Sequence, residues 1–188
     1  MSAFPSRWQV HAAAHWVRNG GVIAYPTESV FGLGCDPAQR TAVERVLVLK
    51  HRSAAKGLIL IASRWRQLQP WLIAVPGAWQ DRLQRSWPGP VTWLIPANRN
   101  CPRWLAGEHD TLAVRVTAHP LARRLCESLD RAIVSTSANR SGHRPARSVL
   151  EVRLQFGTRI DFVLPGQLGT LGKPTPIRDL ASGRVIRN

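Results

Sequence analysis

Two stretches of this 188-residue chain gather hydroxyls, glycines and cations in a way that suits phosphate chemistry. The first, residues 25–56, begins with hydroxyl and glycine residues and ends with Lys50, Arg52 and Lys56. The second, residues 135–139, alternates polar side chains in a Ser-x-Ser-x-Asn pattern. Each stretch follows an apolar run typical of a strand, and α/β sheets usually bind ligands where strands end. These residue types indicate an anionic ligand.

The three cations lie close together along the chain and have no acidic neighbour between Glu44 and Asp81. Such a cluster is typical either of an exposed basic turn or of a triphosphate clamp, in which cations offset charge that develops during phosphoryl chemistry. We favour the clamp. Among 26 basic residues only Lys50, Lys56 and Lys173 are lysines, and a compact ammonium held against a phosphate is not replaced by the planar fork of arginine.

The second stretch and one embedded arginine extend this interpretation. In an extended backbone Ser135, Ser137 and Asn139 point to one side, because alternate residues of a strand share a face. Arg115 interrupts the apolar run at residues 112–116. A buried arginine needs an anionic partner, and a substrate carboxylate would serve. An arginine that faces outward from the edge of the sheet is the equally weighted alternative.

The standard phosphate-binding and hydrolytic motifs are missing from the sequence. There is no P-loop, no G-x-S-x-G and no H-E-x-x-H, and Gly32-Leu33-Gly34 supplies only the first half of a dinucleotide fingerprint. Six histidines show no metal-ligand spacing. Three widely spaced cysteines indicate neither a metal site nor a disulfide framework, and they favour a reducing cytoplasm.

Charge and composition limit the classes of protein further. The chain carries 26 basic and 11 acidic residues, a net charge of +15, which predicts attraction to nucleic acid or to nucleotide phosphates. For the scattered arginines a solvated surface is the simpler interpretation. A hydrophobic content of 44% favours a single globular domain over residues 1–188. We expect no membrane span and no signal peptide in residues 1–18.

The hydrophobic pattern predicts an α/β or α+β fold with interleaved helices and strands. Helices are expected at residues 7–19, 41–50, 63–72 with Ser63 as cap, 78–87, 119–129 and 148–156. Strands are expected at residues 22–25, 58–62, 91–95, 112–116, 132–135, 160–164, 177–180 and 185–187. Residues 26–34 are expected to form a loop, because Pro26 has no amide proton to continue a ladder. Short turns between the late strands predict a mixed parallel and antiparallel sheet.

Several of these motifs, taken in order, resemble the YrdC-like family over nearly the whole chain. They are residues 25–34, Lys50-x-Arg52, 56–60, 87–92, 112–116, His119-Pro120 and 135–139. The ending at residues 174–179, without a further C-terminal domain, resembles the short bacterial form of that family. The resemblance implies a twisted mixed sheet flanked by helices, with a large basic cavity.

The resemblance also implies a reaction. Threonine and bicarbonate combine as N-carboxy-threonine, whose carboxylate attacks the α-phosphorus of ATP, so that pyrophosphate leaves and threonylcarbamoyl-AMP forms. The enzyme would be a nucleotidyltransferase, with Mg²⁺ carried by ATP and no metal held by the protein. Its product would pass to protein partners that modify an adenosine in tRNA, with at most weak contact of this chain to RNA.

Matched motif by motif, the family's site residues fall on ten positions. The positions for ATP are Lys50, Arg52, Lys56, Thr111, Ser135, Ser137, Asn139 and Arg187. Lys50 and Arg52 would be catalytic, and with Ser137 and Asn139 they form the family's signature tetrad. Thr27 and Arg115 match the threonine site, where Arg115 would take the carboxylate.

Two other functions stay open on the sequence. One is a module that binds structured RNA or tRNA, or a ribosome-maturation factor, which would use the positive charge and turn over no threonine. The other is a carbamoyl or adenylyl transferase that acts on a different amino acid.

Overall fold

The computed structural model describes residues 6–188. The first five residues, part of the segment interpreted above as lacking a signal peptide, lie outside the described residues. The α-helices of the described part are α1 (Arg7–Arg18), α2 (Arg40–Lys50), α3 (Gly77–Ser86), α4 (Arg103–Ala106), α5 (Pro120–Leu129) and α6 (Val149–Phe156). Its strands are β1 (Ile23–Pro26), β2 (Phe31–Gly34), β3 (Ile59–Ala62), β4 (Thr92–Pro96), β5 (Thr111–Val116), β6 (Ile133–Ser137), β7 (Phe162–Val163), β8 (Ile177–Asp179) and β9 (Val185–Arg187).

All nine strands of the described part join one sheet, in the order β7-β1-β2-β6-β3-β5-β4-β8-β9. The pairs β1–β7, β3–β5 and β4–β8 are parallel, and the other neighbours are antiparallel. The predicted mixed sheet flanked by helices is therefore confirmed.

Strand register decides which polar side chains share a face. Ile59 of β3 pairs with Ser135 on one side and with Ala113 on the other. Because paired residues point the same way and every second residue returns to the same face, Ser135, Ser137, Thr111 and Arg115 all lie on one face of the sheet. The sheet thus collects side chains from the two strands that the sequence analysis singled out.

Two helices cover the neighbouring part of that face. Tyr25, Ile61 and Ile133 lie on it and are fully buried in a cluster with apolar residues of α1 and α5. α1 begins with a capping box formed by Ser6 and Gln9, and its apolar residues recur with helical spacing toward the sheet. The polar residues lie beyond the part that these helices fill.

The opposite face of the sheet holds the larger core. Leu60, Val114 and Val134 are buried there against apolar residues that include Val43 and Val46 of α2. Strands buried on both faces explain the unbroken apolar runs in the sequence. This core fixes the end of α2, and therefore Lys50, against the sheet.

The structure corrects the prediction of a loop at residues 26–34. Pro26 pairs with Phe31, and Phe31–Gly34 is a strand of an antiparallel hairpin. Gly34 is needed for packing rather than for a ligand, because a Cβ there would lie 2.7 Å from a ring carbon of Tyr25 and 2.8 Å from the carbonyl oxygen of Val134.

Two further predictions are wrong in detail. Residues 63–72 form two short 3-10 turns, Trp65–Gln67 and Gln69–Trp71, instead of one helix. Ser63 donates its hydroxyl to Gln67 Oε1 at 3.0 Å and caps nothing. Ser137 also lies in β6, because that strand continues two residues beyond its predicted end at Ser135.

Candidate active site

A cavity of about 320 Å³ opens on the polar part of the sheet face. Six of the ten predicted site residues line it, namely Thr27, Arg52, Arg115, Ser135, Ser137 and Arg187. Among residues 6–188, no aspartate or glutamate lines it. A larger cavity, about 740 Å³, lies beside Trp65 and Trp87, is mainly apolar, and contains none of the predicted site residues. We therefore take the smaller, cationic cavity as the candidate site.

Lys50 joins the two motifs that the sequence analysis singled out. It ends α2 and is 5% exposed, and its ammonium donates to the carbonyl oxygen of Ser137, to that of Asn139 at 2.8 Å and to Asn139 Oδ1 at 3.4 Å. In return, the amide of Ser141 donates to the carbonyl oxygen of Lys50 at 2.9 Å. Burial, and then the nearby charge of Arg52, lower the pKa of Lys50 to about 8.

The turn after β6 is held by an internal hydrogen-bond network. Ser137 Oγ donates to Asn139 Oδ1 at 2.6 Å, and Asn139 Nδ2 donates to the carbonyl oxygens of Arg140 at 3.0 Å and His143 at 2.7 Å. The three N–H groups of the Lys50 ammonium have three oxygen acceptors in the same turn. Ser137 lines the cavity, whereas Lys50 and Asn139 do not. These two residues hold Ser137 in place through the hydrogen bonds given above.

Arg52 reaches the cavity because α2 ends in a left-handed residue. His51 has φ 50° and ψ 48°, which turns the chain after Lys50. The guanidinium of Arg52 donates to the carbonyl oxygens of Gly57 at 3.0 Å and Lys56 at 3.4 Å, while its buried Nε–H has no partner. Burial, and then the charge of Arg187, lower the pKa of Arg52. An unpartnered buried donor beside a second guanidinium suits an anion.

Arg115 lies inside the sheet and is 5% exposed, so the alternative of an edge-facing arginine is wrong. Its anionic partner is Glu28, 3.1 Å away, and a second guanidinium nitrogen donates to Thr175 Oγ1 at 2.7 Å. Glu28 also accepts a hydrogen bond from Thr117. The Nε–H of Arg115 is buried without a partner. The chain itself therefore supplies the anion that the sequence analysis expected from a substrate, and Nε is the guanidinium nitrogen without a hydrogen-bond partner.

Thr27 lies in the hairpin turn before β2. Its hydroxyl donates to the carbonyl oxygen of Val30 at 2.7 Å, which leaves the oxygen lone pairs as acceptors toward the cavity. The amide of Gly169 donates to the carbonyl oxygen of Thr27 at 2.9 Å, and the amide of Leu171 donates to that of Glu28 at 3.0 Å. The irregular segment 165–176 therefore lies across this turn and brings Thr175 to the site.

His119 fixes the same segment from the other side. As the N-cap of α5, its Nδ1 accepts from the amide of Ala122 at 3.4 Å, so its Nε2–H donates to the carbonyl oxygen of Gln167 at 3.1 Å. Burial lowers the pKa of His119, which keeps the imidazole neutral. His119 therefore has a structural role, in which it joins the start of α5 to segment 165–176.

Four predicted ATP-site residues do not line the cavity. Thr111 shares its sheet face with Arg115 but begins β5, four residues away. Lys56 is exposed at the end of a 3-10 turn, Ala54–Lys56. The other predicted residues that do not line the cavity, Lys50 and Asn139, contact it through Ser137.

Sequence reasoning did not assign a role to Glu28, Thr175 or Thr117. The signal for Glu28 was present, because a buried arginine requires an anion and this acid lies in the polar stretch after β1. Glu28 and Arg115 are 87 positions apart, and no periodicity links them. Thr117 follows β5 directly, at the strand end where polar residues gather.

Comparisons with known proteins identify the family of the chain. The Sua5/YciO/YrdC family model, described as "Telomere recombination", matches residues 15–188. A protein named threonylcarbamoyl-AMP synthase from Halorhodospira halophila is 59% identical over 94% of this chain and 92% of its own length. A protein of the same name from Nitrosococcus oceani is 55% identical over 96% of this chain and 97% of its own length.

Among solved structures, that of P. abyssi Sua5 in complex with L-threonine superposes with a TM-score of 0.88 at 34% identity. The match covers 94% of this chain and 52% of that protein, so the chain spans about half of its length. The family model and these full-length relatives lead to one conclusion: the chain belongs to the Sua5/YciO/YrdC family.

Proposed function

We propose that this chain, as one domain over residues 1–188, is a threonylcarbamoyl-AMP synthase. It would use L-threonine, bicarbonate and ATP and release pyrophosphate, as a nucleotidyltransferase. The observation that carries the proposal is a pair of buried, unpartnered guanidinium N–H groups, on Arg52 and Arg115, in two arginines that line one cavity. Relatives with this name and the threonine complex of Sua5 support it.

The ATP phosphates fit the part of the cavity near Arg52. Arg52 and Arg187 supply positive charge there, and Ser137 supplies a hydroxyl at the end of β6. Lys50 acts from behind, because its ammonium holds the turn that carries Ser137. A cationic site without acidic side chains favours a triphosphate and the charge that develops on departing pyrophosphate.

Threonine fits the part of the cavity near Arg115. Its carboxylate would accept the free Nε–H of Arg115, and its hydroxyl would donate to Thr27 Oγ1. Glu28 and Thr175 hold the other two nitrogens of this guanidinium, whose arginine lines the cavity. A charge-assisted bond of this kind contributes about 1.5 to 3 kcal/mol.

The chemistry then needs positioning and charge more than proton transfer. Threonine nitrogen and bicarbonate form a carbamate, with loss of water. A carbamate oxygen attacks the α-phosphorus of ATP, the bond to the β-phosphate oxygen breaks, and pyrophosphate leaves with the electron pair. Mg²⁺ would enter on the ATP phosphates, which are its usual ligands. The cavity holds both reactants in one orientation, and such proximity supplies much of the rate.

The product, a reactive mixed anhydride, would pass to protein partners that transfer the threonylcarbamoyl group to tRNA. We place this reaction in the cytoplasm, where ATP and tRNA are available. Within residues 6–188 no helix is long and apolar enough to cross a bilayer.

The test is pyrophosphate release in the presence of ATP and bicarbonate, with each amino acid supplied in turn. We expect release with L-threonine and labelled bicarbonate in an adenylate product. Arg115→Gln should raise the KM for threonine at least tenfold, since it removes a charged donor. Arg40→Gln is the matched control, because Arg40 is exposed and pairs with Glu44 on α2.

Release with another amino acid but not with threonine would favour a different carbamoyl or adenylyl transferase. Absence of release with every amino acid would overturn the proposal. An unchanged threonine KM in Arg115→Gln would remove Arg115 from the threonine site but leave the reaction standing.

A further inference from the structure

The outward face of α1 carries only cations, imidazoles and indoles among its exposed side chains. This face, called the α1 face below, consists of Arg7, Trp8, His11, His15, Trp16 and Arg18. The apolar residues of the helix, including Val10 and Val17, point the other way and are buried. α1 contains no acidic residue. The helix therefore presents positive charge and aromatic surface together, with nothing on it to neutralise that charge.

The two indoles are exposed to an unusual degree. Trp8 is 72% exposed and Trp16 is 42% exposed, whereas the other six tryptophans of the chain are buried or half-buried. Trp8 and Trp16 lie eight residues apart, about 12 Å along the helix at 1.5 Å per residue. They form two separate flat surfaces on the same side of α1. Exposed tryptophan favours a partner that covers it.

A shallow cavity adjoins this face between α1 and α5. It measures about 320 Å³ and is lined in part by Arg7, His11 and Arg124. Of the described residues that line it, Glu127 is the acidic one, and its carboxylate lies 3.7 Å from Arg123 of the same helix. Positive charge therefore continues from the α1 face onto α5, with one acid that already has a cation beside it.

The chemistry of this surface selects among partners. A bilayer requires a helix whose apolar stripe faces outward, and the aliphatic residues of α1 face the core. A nucleic acid supplies phosphates for the cations and unstacked bases for the indoles, and base–aromatic stacking tolerates any sequence. The net charge of +15 attracts the same polyanion from a distance.

We propose that the α1 face is a docking surface for structured RNA that offers unpaired bases. Arg7 and Arg124 contact phosphates, and Trp8 stacks on a base. The surface is distinct from the cationic cavity, since α1 contributes no residue to that cavity. The inference therefore stands whether or not the chain makes threonylcarbamoyl-AMP.

The experiment is a binding titration with an unmodified transcript of a tRNA, at a series of salt concentrations, with full-length protein. We expect Trp8→Ala to raise Kd about tenfold with an unchanged salt slope, since it removes stacking, and Trp8→Phe to restore part of the affinity. Arg7→Gln should lower the slope of log K against log salt by about one, since it removes one phosphate contact.

The controls use exposed residues on other elements. Val48→Ala removes an exposed apolar side chain from α2, and Arg99→Gln removes an exposed cation after β4. Both variants should bind with a Kd within about twofold of that of the parent and with the same salt slope. The loss of one positive charge in Arg99→Gln weakens the long-range attraction to RNA only slightly. Pyrophosphate release by Trp8→Ala, measured in parallel, reports separately on the proposed synthase.

Three results would each overturn the proposal. The first is that the parent protein does not bind the transcript. The second is that Trp8→Ala binds the transcript as tightly as the parent does. The third is that Arg7→Gln and Arg99→Gln change the salt slope equally. Binding of phosphatidylserine vesicles that depends on Trp8, without binding of RNA, would assign the face to a lipid surface instead.

Discussion

Replacement of Glu28 with glutamine removes the carboxylate that pairs with Arg115 and keeps nearly the same side-chain size. The pair is 3.1 Å apart, and its side chains are 8% and 6% exposed. Arginine side chains stay charged in proteins, so the variant leaves a charged guanidinium inside the sheet without its carboxylate partner. We expect Glu28→Gln to be among the more destabilising single substitutions in this chain.

The magnitude follows from distance and burial. At an effective dielectric of about 20, two unit charges 3.1 Å apart attract each other by about 5 kcal/mol. Loss of one partner from a buried pair costs about 3 to 5 kcal/mol, because the remaining charge is not resolvated. Glutamine still offers an oxygen to Arg115, so we expect the lower end, about 3 kcal/mol. This is a large part of the 5 to 15 kcal/mol typical of a domain.

The assay is urea unfolding of four proteins: the parent, Glu28→Gln, Arg115→Met and the double variant. Each single variant should lose stability, and the double variant should lose less than the sum, with a coupling of about 2 to 3 kcal/mol.

Additive losses in this cycle would refute the reasoning, since they would mean that the two charges do not interact in the folded protein. Glu44→Gln is the control, because Glu44 pairs with Arg40 on the exposed side of α2. Its effect should stay within about 0.5 kcal/mol.

Three further predictions concern other parts of the molecule. The pKa of Lys50 is lowered from 10.5 to about 8, so between these pH values Lys50 binds fewer protons in the folded chain than in the unfolded chain. The contribution of Lys50 to stability should therefore rise with pH in this range. Any rate that needs the Lys50 ammonium should fall above about pH 8, which a pH–rate profile would show. Gly107→Ala should destabilise the folded protein by about 2 kcal/mol or more, because φ of Gly107 is +68° and a Cβ would lie 2.3 Å from the carbonyl oxygen of Ala55. Gly77→Ala is the control in the same thermal melts. No atom lies within 4 Å of the Cβ that it adds, and it should stabilise the protein by about 0.5 kcal/mol. Ser148→Ala should cost about 1 kcal/mol of unfolding free energy, because Ser148 Oγ caps α6 by accepting from the amide of Glu151 at 3.1 Å.

Local patterns in the sequence predicted most of the elements. Apolar spacing places α1, α2, α5 and α6 within one or two residues of the observed bounds. The pattern failed at residues 26–34 and 63–72, where propensity and cap residues suggested the wrong element. In the hairpin, pairing with β6 overrides the proline, because Gly32 and Leu33 gain partners in the sheet.

The sequence alone determined that two polar stretches come after apolar runs and that one of them carries a cluster of cations. Those features are local, since residue type, spacing and strand ends can be read along the chain. Only the tertiary structure decided which groups meet. It showed that the partners of the Lys50 ammonium are oxygens after β6, and that the guanidinium of Arg115 meets Glu28 across 87 positions. The reason is physical: strand order and register bring these residues together, and both depend on long-range packing that leaves no periodic mark in the sequence.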